Sequence, residues 1–143
     1  MPENKIFTDT NIIIYAYDIS AGQKHEIAKG IIMDLWNSGL GVLSTQVLQE
    51  FFVTVTRKIK KPLDIQAAKR IVHDLTKWDL VVVDGETILG AIDVHHEYRY
   101  SFWDSMVIQA AMTAGATLLL SEDLSDGQTI AGVKIHNPFT QKS

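Results

Sequence analysis

At 143 residues, with 46% hydrophobic and 21% charged residues, the chain has the size and mixture of one ordinary globular domain able to bury a sizeable core. It has no cysteine, which excludes disulfides and thiolate metal sites, and a formal charge of −4 argues against non-specific coating of nucleic acid. No apolar run approaches the length of a membrane span, and the polar start Met1-Pro2-Glu3-Asn4-Lys5 is unlike a signal peptide, so a cytoplasmic protein with no membrane partner is expected.

Ile6-Phe7 reads as a short buried strand that ends in a loop at Asp9, with Thr8, Thr10 or Asn11 able to cap a helix running to about Tyr17. Asp18 to Gly22 is a turn. From about His25 to Asn37, Ile27, Ala28, Ile31, Ile32, Leu35 and Trp36 recur at helical spacing, and Gly39 stops that helix. Leu40 to Leu43 is a second strand. Thr45 can cap the next helix, whose apolar positions are Val47, Leu48, Phe51, Phe52 and Val55 and which carries Glu50 in its first turns.

Lys60-Lys61-Pro62 breaks the pattern, and Asp64 caps a helix with a stripe of Ala67, Ala68, Ile71, Val72 and Leu75. Leu80-Val81-Val82-Val83, β-branched and apolar, reads as a strand covered on both faces. Asp84 begins a helix that fades near Tyr98. Ser101 or Phe102 starts another, with Asp104 in its first turn and Gly115 at its end. Thr117 to Leu120 is a fourth strand, a polar loop runs from Ser121 to Gly127, and Val133 to Ile135 is a fifth strand ended by Asn137-Pro138. The tail from Thr140 to Ser143 is expected to fray. No repeat or linker divides the chain, so one domain over 1–143 is expected. Strands alternating with helices call for a parallel sheet with helices on both faces, and right-handed crossovers set every strand-to-helix loop along one edge.

Four acids fall at corresponding places in that pattern. Asp9 follows the first strand, Glu50 lies shortly after the second, Asp104 opens a helix and Asp123 follows the fourth strand. Taken singly, each has an ordinary explanation as a helix cap or a solvated charge. Together at one sheet edge they repel one another, and a hard divalent cation such as Mg²⁺ or Mn²⁺, which takes oxygen ligands, removes the repulsion. Such ions activate water and steady the leaving oxygen in phosphodiester hydrolysis. Asn11 and Ser121 are polar neighbours able to support the acids. Glu122 and Asp126 read as solvated or turn-forming loop acids.

Other groups have plainer readings. Arg57-Lys58-Ile59-Lys60-Lys61 suits the C-terminal end of a helix, with contact to an RNA backbone as the alternative. Tyr98-Arg99-Tyr100 is a helix corner or a platform for an unpaired base. His95-His96 lacks the spacing of a zinc site and is expected to be exposed. Trp36, Trp78 and Trp103 read as core or interface residues. Two competing functions start from the same strand ends. An aspartyl-nucleophile phosphatase would use Asp9 but want a second acid where Asn11 stands. A non-enzymatic phospho-acceptor module would use Asp84. No glycine-rich nucleotide loop follows any strand.

The ordered set Phe7-Thr8-Asp9-Thr10-Asn11-Ile12, Glu50, Phe102-Trp103-Asp104-Ser105 and Leu120-Ser121-Glu122-Asp123, with the closing Gly132 to Pro138, resembles the PIN-domain ribonucleases over nearly the whole chain. It is most similar to the VapC-like toxins of bacterial toxin–antitoxin pairs. The resemblance implies a three-layer α/β/α sandwich around a mostly parallel five-stranded sheet and a Mg²⁺- or Mn²⁺-dependent endoribonuclease acting on RNA. It assigns metal-binding roles to Asp9, Glu50, Asp104 and Asp123. It also implies a homodimer and, for the toxin branch, a cognate antitoxin whose peptide covers the site; a PIN-like RNA-processing nuclease outside that branch is the alternative. The chain departs from the pattern after its fourth acid. The family often has a further Asp two residues on, followed by Phe, whereas here Leu124-Ser125 intervene and Asp126 precedes Gly127. A metal role for Asp126 therefore does not carry over.

Overall fold

The computed structural model describes residues 4–140, so the expected fraying at the last three positions lies outside the described residues. The chain runs β1 (Ile6–Thr8), α1 (Thr10–Tyr17), a single 3-10 turn (Ile19–Ala21), α2 (Gln23–Ser38), β2 (Gly41–Ser44), α3 (Thr45–Arg57) and α4 (Ile65–Leu75). It continues through β3 (Asp79–Val81), α5 (Gly85–Tyr98), α6 (Phe102–Thr113), β4 (Leu118–Leu120), β5 (Thr129–Ile130) and β6 (Val133–His136).

The strands form one sheet in the order β3-β2-β1-β4-β6-β5, parallel except for the pairing of β5 with β6. Phe7 of β1 lies level with Val42 of β2 on one side and Leu119 of β4 on the other. Helices flank the sheet in a three-layer α/β/α sandwich, and Phe7, Val42, Leu43 and Leu119 on the strands are buried with Ile12, Phe51 and Ile108 from the helices. The chain builds outward from β1 to β3, then returns to the other side of β1 to lay down β4. The crevice beyond the carboxyl ends of β1 and β4 is therefore the switch point at which open α/β sheets bind ligands.

The sheet has six strands, not the expected five. The added strand, β5, is two residues long and antiparallel to β6, with Ile130 opposite Val133. Ala131 and Gly132 join them with φ of 49° and 85°, the left-handed pair that a tight hairpin requires. Glycine supplies this conformation readily, but alanine at the first position gives no sequence signal for it. The strand expected over Leu80 to Val83 begins one residue earlier and lies at the sheet edge. Asp79 is exposed and Val82, past the strand, is 65% exposed, while the Val83 N–H turns to the Thr45 hydroxyl at 3.2 Å. It is not covered on both faces.

The caps differ from expectation at two helices. Asp9 itself caps α1, its carboxylate accepting from the Thr10 N–H. Ser44, not Thr45, caps α3, accepting the Val47 N–H. Asp64, Asp84 and Ser101 cap α4, α5 and α6, and Gly39 ends α2 at φ 72°, as the residue types require.

Candidate functional site

Asp9 ends β1 at the switch point, where its N–H donates to the Leu120 carbonyl of β4 at 2.9 Å. That bond ties the two strand ends together. Ser121, one residue past β4 and fully buried, donates its hydroxyl to Asp9 Oδ2 at 2.7 Å, while the Thr10 N–H holds Oδ1 at 2.7 Å. The Ser121 oxygen in turn accepts the Asp123 N–H at 3.2 Å. One hydroxyl thus fixes both the first acid and the loop that carries the fourth.

Asn11 completes this bracing. Its Oδ1 accepts the Glu122 N–H at 3.2 Å and its Nδ2 donates to Asp123 Oδ2 at 3.1 Å. Thr10, beside it, donates its hydroxyl to Glu50 Oε1 at 2.8 Å, reaching from the first turn of α1 to the second turn of α3. Asp104 stands in the first turn of α6, whose start is fixed by the Ser101 cap. Asp9, Glu50, Asp104 and Asp123 all line one cavity of about 210 Å³. The expected gathering of the four acids at one sheet edge is what the fold produces, and Asn11 and Ser121 stand beside them.

Asp9 is the acid on which burial acts. It is 6% exposed, and that burial pushes its carboxyl up to about 6 from an ordinary 3.8. Hydrogen bonds from Ser121 and the Thr10 N–H oppose the rise, and the charges of Glu50 and Asp123 add to it. The donors around the cavity are carboxylate, amide and hydroxyl oxygens, the set that a hard cation such as Mg²⁺ or Mn²⁺ takes and a soft metal does not. Among the described residues no three Asp, Glu or His side chains form a ready-made metal cage. Mg²⁺ commonly needs only one or two carboxylates, its remaining positions being water and substrate phosphate. The residues present fit such an ion.

The remaining candidates fall elsewhere. Asp126 accepts the Asn137 N–H at 3.0 Å and lies 3.5 Å from His136, so it fastens the loop before β5 to the end of β6 and does not line the acid cavity. Glu122 is no solvated charge. It accepts the Tyr15 hydroxyl at 2.7 Å and pairs with Lys24, whose ammonium also lies over the Tyr15 ring. Burial pushes the Glu122 carboxyl up, but Lys24 and the Tyr15 hydroxyl outweigh it and hold it below the usual range. His95 and His96 are exposed, and His95 Nδ1 meets the Tyr100 carbonyl. Trp78 is buried edge-on to Trp36, while Trp103 is 63% exposed and lines the acid cavity.

Sequence reasoning missed Gln46. It lies one turn before Glu50 on α3, is 8% exposed, and lines the same cavity with Thr54 one turn after. The four-residue spacing of Gln46, Glu50 and Thr54 was the available signal.

An α/β sandwich with an acidic cavity at its switch point defines the class of protein. The PIN domain model matches residues 6–125, and the chain belongs to the PIN domain family. Solved structures share the fold at low identity. A toxin–antitoxin complex from Klebsiella pneumoniae is 17% identical with a TM-score of 0.67, over 94% of this chain and 98% of that one. DNA-bound VapBC from Salmonella typhimurium is 15% identical with a TM-score of 0.66, over 95% and 99%. VapC20 of Mycobacterium tuberculosis, described as a sarcin–ricin loop cleaving toxin, is 21% identical with a TM-score of 0.59, over 80% and 87%. No curated protein sequence matches the chain.

Proposed function

We propose that the protein is a Mg²⁺- or Mn²⁺-dependent endoribonuclease and the toxin component of a toxin–antitoxin pair. The observation that carries the reading is the convergence of Asp9, Glu50, Asp104 and Asp123 on one small cavity at the switch point of a PIN domain. In this reading those four carboxylates hold the catalytic cation or cations. When bound, the ion supplies charge neutralisation at the scissile phosphate and an activated water.

The chain's own residues do the rest. Ser121 and the Thr10 N–H orient Asp9 with both oxygens engaged, so its lone pairs point in set directions. Asn11 holds Asp123 and Thr10 holds Glu50 against drift. Such bracing is what keeps ligands within the narrow tolerance that hydrolysis needs. The burial that pushes Asp9 up also makes a cation the favourable partner for its charge.

The toxin assignment and the antitoxin partner are supported by the structural neighbours, one of which is described as a toxin–antitoxin complex and another as a toxin. A homodimer and a cytoplasmic location belong to the same reading. Among the described residues no helix is long and apolar enough to cross a membrane. The phospho-acceptor alternative is disfavoured because the Asp84 carboxylate is committed to the cap of α5, accepting both the N–H and the hydroxyl of Thr87.

The test is cleavage of single-stranded RNA by the purified protein. Cleavage is expected with Mg²⁺ or Mn²⁺, none with EDTA, and none by Asp9→Asn. An Asp9→Asn protein as fast as wild type would sink the site assignment. Growth arrest on expression, relieved by a small protein encoded next to it, separates a toxin from an RNA-processing nuclease.

A further inference from the structure

The pairing of Glu122 with Lys24 is explained neither by the acid cavity nor by stability. Glu122 adds a negative charge next to Asp123, among carboxylates that already repel one another, yet it does not line their cavity. Lys24 stands in the first turn of α2, the end of a helix where the macrodipole disfavours a cation. The Lys24 side chain is 46% exposed, and an ion pair so open to water adds little to stability. Two residues thus stand in costly places for a contact of small worth to the fold.

What the pair fixes is the backbone beside Asp123. Asn11 and Tyr15 lie one turn apart on one face of α1 and grip two consecutive loop residues. The Asn11 amide accepts the Glu122 N–H at 3.2 Å and donates to Asp123 Oδ2 at 3.1 Å, and the Tyr15 hydroxyl donates to Glu122 Oε1 at 2.7 Å. Lys24 holds the other carboxylate oxygen of Glu122. Its ammonium rests over two rings, 5.1 Å from the centre of Tyr15 and 5.9 Å from that of Phe139, and these rings meet edge to face at 5.2 Å. Residue 122 is therefore held at its N–H and at both side-chain oxygens, and the acid that lines the cavity follows it directly.

Resting on the metal-dependent nuclease reading, we infer that Tyr15 and Lys24 are positioning residues for Asp123. They act through Glu122, whose side chain anchors the loop so that the next residue presents its carboxylate to the cation. Neither lines the cavity, and Lys24 acts from α2, an element that supplies no residue to its lining. Charge and anchoring give Lys24 opposite effects on a bound cation. As a charge it repels the ion, so removing it should tighten binding. As the anchor of Glu122 it holds a ligand in place, so removing it should loosen binding.

The test is Mn²⁺ titration calorimetry on the full chain, with hydrogen exchange of the metal-free protein as a second readout. Lys24→Met should bind Mn²⁺ about fivefold more weakly than wild type and Tyr15→Phe about threefold, less than the loss expected at a direct partner of a ligand. Lys24→Arg, which keeps the pair, should retain most of the affinity. Lys24 is exposed and Tyr15→Phe loses a single oxygen, so both variants should fold, and thermal melts check that they do. Without metal, the amides of Glu122 and Asp123 should exchange faster in Lys24→Met than in wild type, while those of β1 and β4 keep their rates. Faster exchange spread evenly over the chain would mean that Lys24 serves stability alone, and it overturns the proposal. Mn²⁺ binding by folded Lys24→Met or Tyr15→Phe that equals or exceeds wild type overturns it too. Such a result beside Mn²⁺ binding and Mn²⁺-dependent RNA cleavage by wild type leaves the nuclease reading standing and removes only the anchor. Wild type that neither binds Mn²⁺ nor cleaves RNA with it overturns both.

Discussion

Asp9 and Asp84 occupy the same local grammar and have opposite electrostatics. Each follows a parallel strand, each adopts extended backbone, and each caps the helix that comes next. Asp84 lies beyond the edge strand β3, exposed, where the N–H and then the hydroxyl of Thr87 hold its carboxyl below the usual range. Asp9 lies beyond the central strand β1, where burial is the largest influence and pushes it up to about 6. The difference comes from position in the sheet. An edge strand leaves its terminal acid in water, so the acid serves its helix. A central strand at the switch point buries its acid beside two others, so the acid is destabilised until something positive arrives.

The sharpest way to break this comparison is to neutralise each acid in turn. Asp9→Asn should lower RNA cleavage by at least about a hundredfold, in the range of a lost group acting directly on the reaction. Asp84→Asn should leave it within about twofold. Equal losses in the two proteins would show that position in the sheet carries no functional meaning.

The same substitution should raise stability. In the chelated protein, folding must keep Asp9 charged in a buried place at neutral pH. Its folded pKa of about 6 stands above the ordinary 3.8, so between those values the folded state binds more protons than the unfolded one. Stability of the metal-free protein should therefore fall as pH rises from about 4 to about 6, with a loss on the order of 3 kcal/mol, and stay level above that as far as this group is concerned. Asn keeps the cap without the charge. Asp9→Asn should thus melt higher than wild type at pH 7 in EDTA, and the gap should close towards pH 4. Adding Mn²⁺ should raise the wild-type melting temperature far more than that of the variant. A variant that melts lower than wild type in EDTA at pH 7 would contradict the burial argument.

Ser121 sharpens the comparison from its other side, because it gives Asp9 a partner just past β4 rather than in its own helix. Ser121→Ala removes the 2.7 Å bond to Asp9 Oδ2 and the acceptor of the Asp123 N–H. Loss of a bracing contact of this kind weakens metal affinity by about 10- to 100-fold. Calorimetry with Mn²⁺ should read that loss. Thr87→Ala, the corresponding partner of Asp84, should leave Mn²⁺ affinity unchanged.

The residues that made Asp9 legible were local, and those that explain its state were not. The strand of Ile6-Phe7 and the acids at strand ends followed from hydropathy and spacing, and the parallel sheet with helices on both faces followed from their alternation. The partners Ser121 and Glu50 are 112 and 41 residues away from Asp9 in the chain, and only the register of β1 with β4 and the placement of α3 beside α1 bring them in. Glu122 read as a solvated acid because Tyr15 and Lys24, which hold it, lie more than ninety residues away. Gln46 was passed over for another reason, although its four-residue spacing from Glu50 and Thr54 was there to read. A glutamine in the first turn of a helix is ordinary, and its unpaired oxygen exists only once the helix is packed. The β5 strand was missed because two residues and an Ala-Gly turn leave no periodic pattern. The edge position of β3 was missed because Leu80 to Val83 is as apolar as a central strand; hydropathy reports burial on the two faces of a sheet and says nothing about which strand has a neighbour.

Asp84 carries the smallest effect, and it tests whether the edge acid is only a cap. Replacing it with alanine removes the acceptor for the Thr87 N–H and hydroxyl, which should lower the melting temperature through the lost cap. Because its carboxyl is held below the usual range, protonating Asp84 should weaken that stabilisation. The folded pKa lies below the unfolded one, so this contribution is present above the unfolded value and is lost as pH falls through the folded value. Wild type and Asp84→Ala should therefore differ in melting temperature by a few degrees at pH 7 and converge in strong acid; wild type loses stability relative to this variant as pH falls, whereas it gains stability relative to Asp9→Asn, because the folded protein takes up the Asp9 proton at a higher pH than the unfolded chain does. Two caps on one sheet edge that respond to acid with opposite signs would establish that depth in the sheet, and not the capping role, decides what each acid can do.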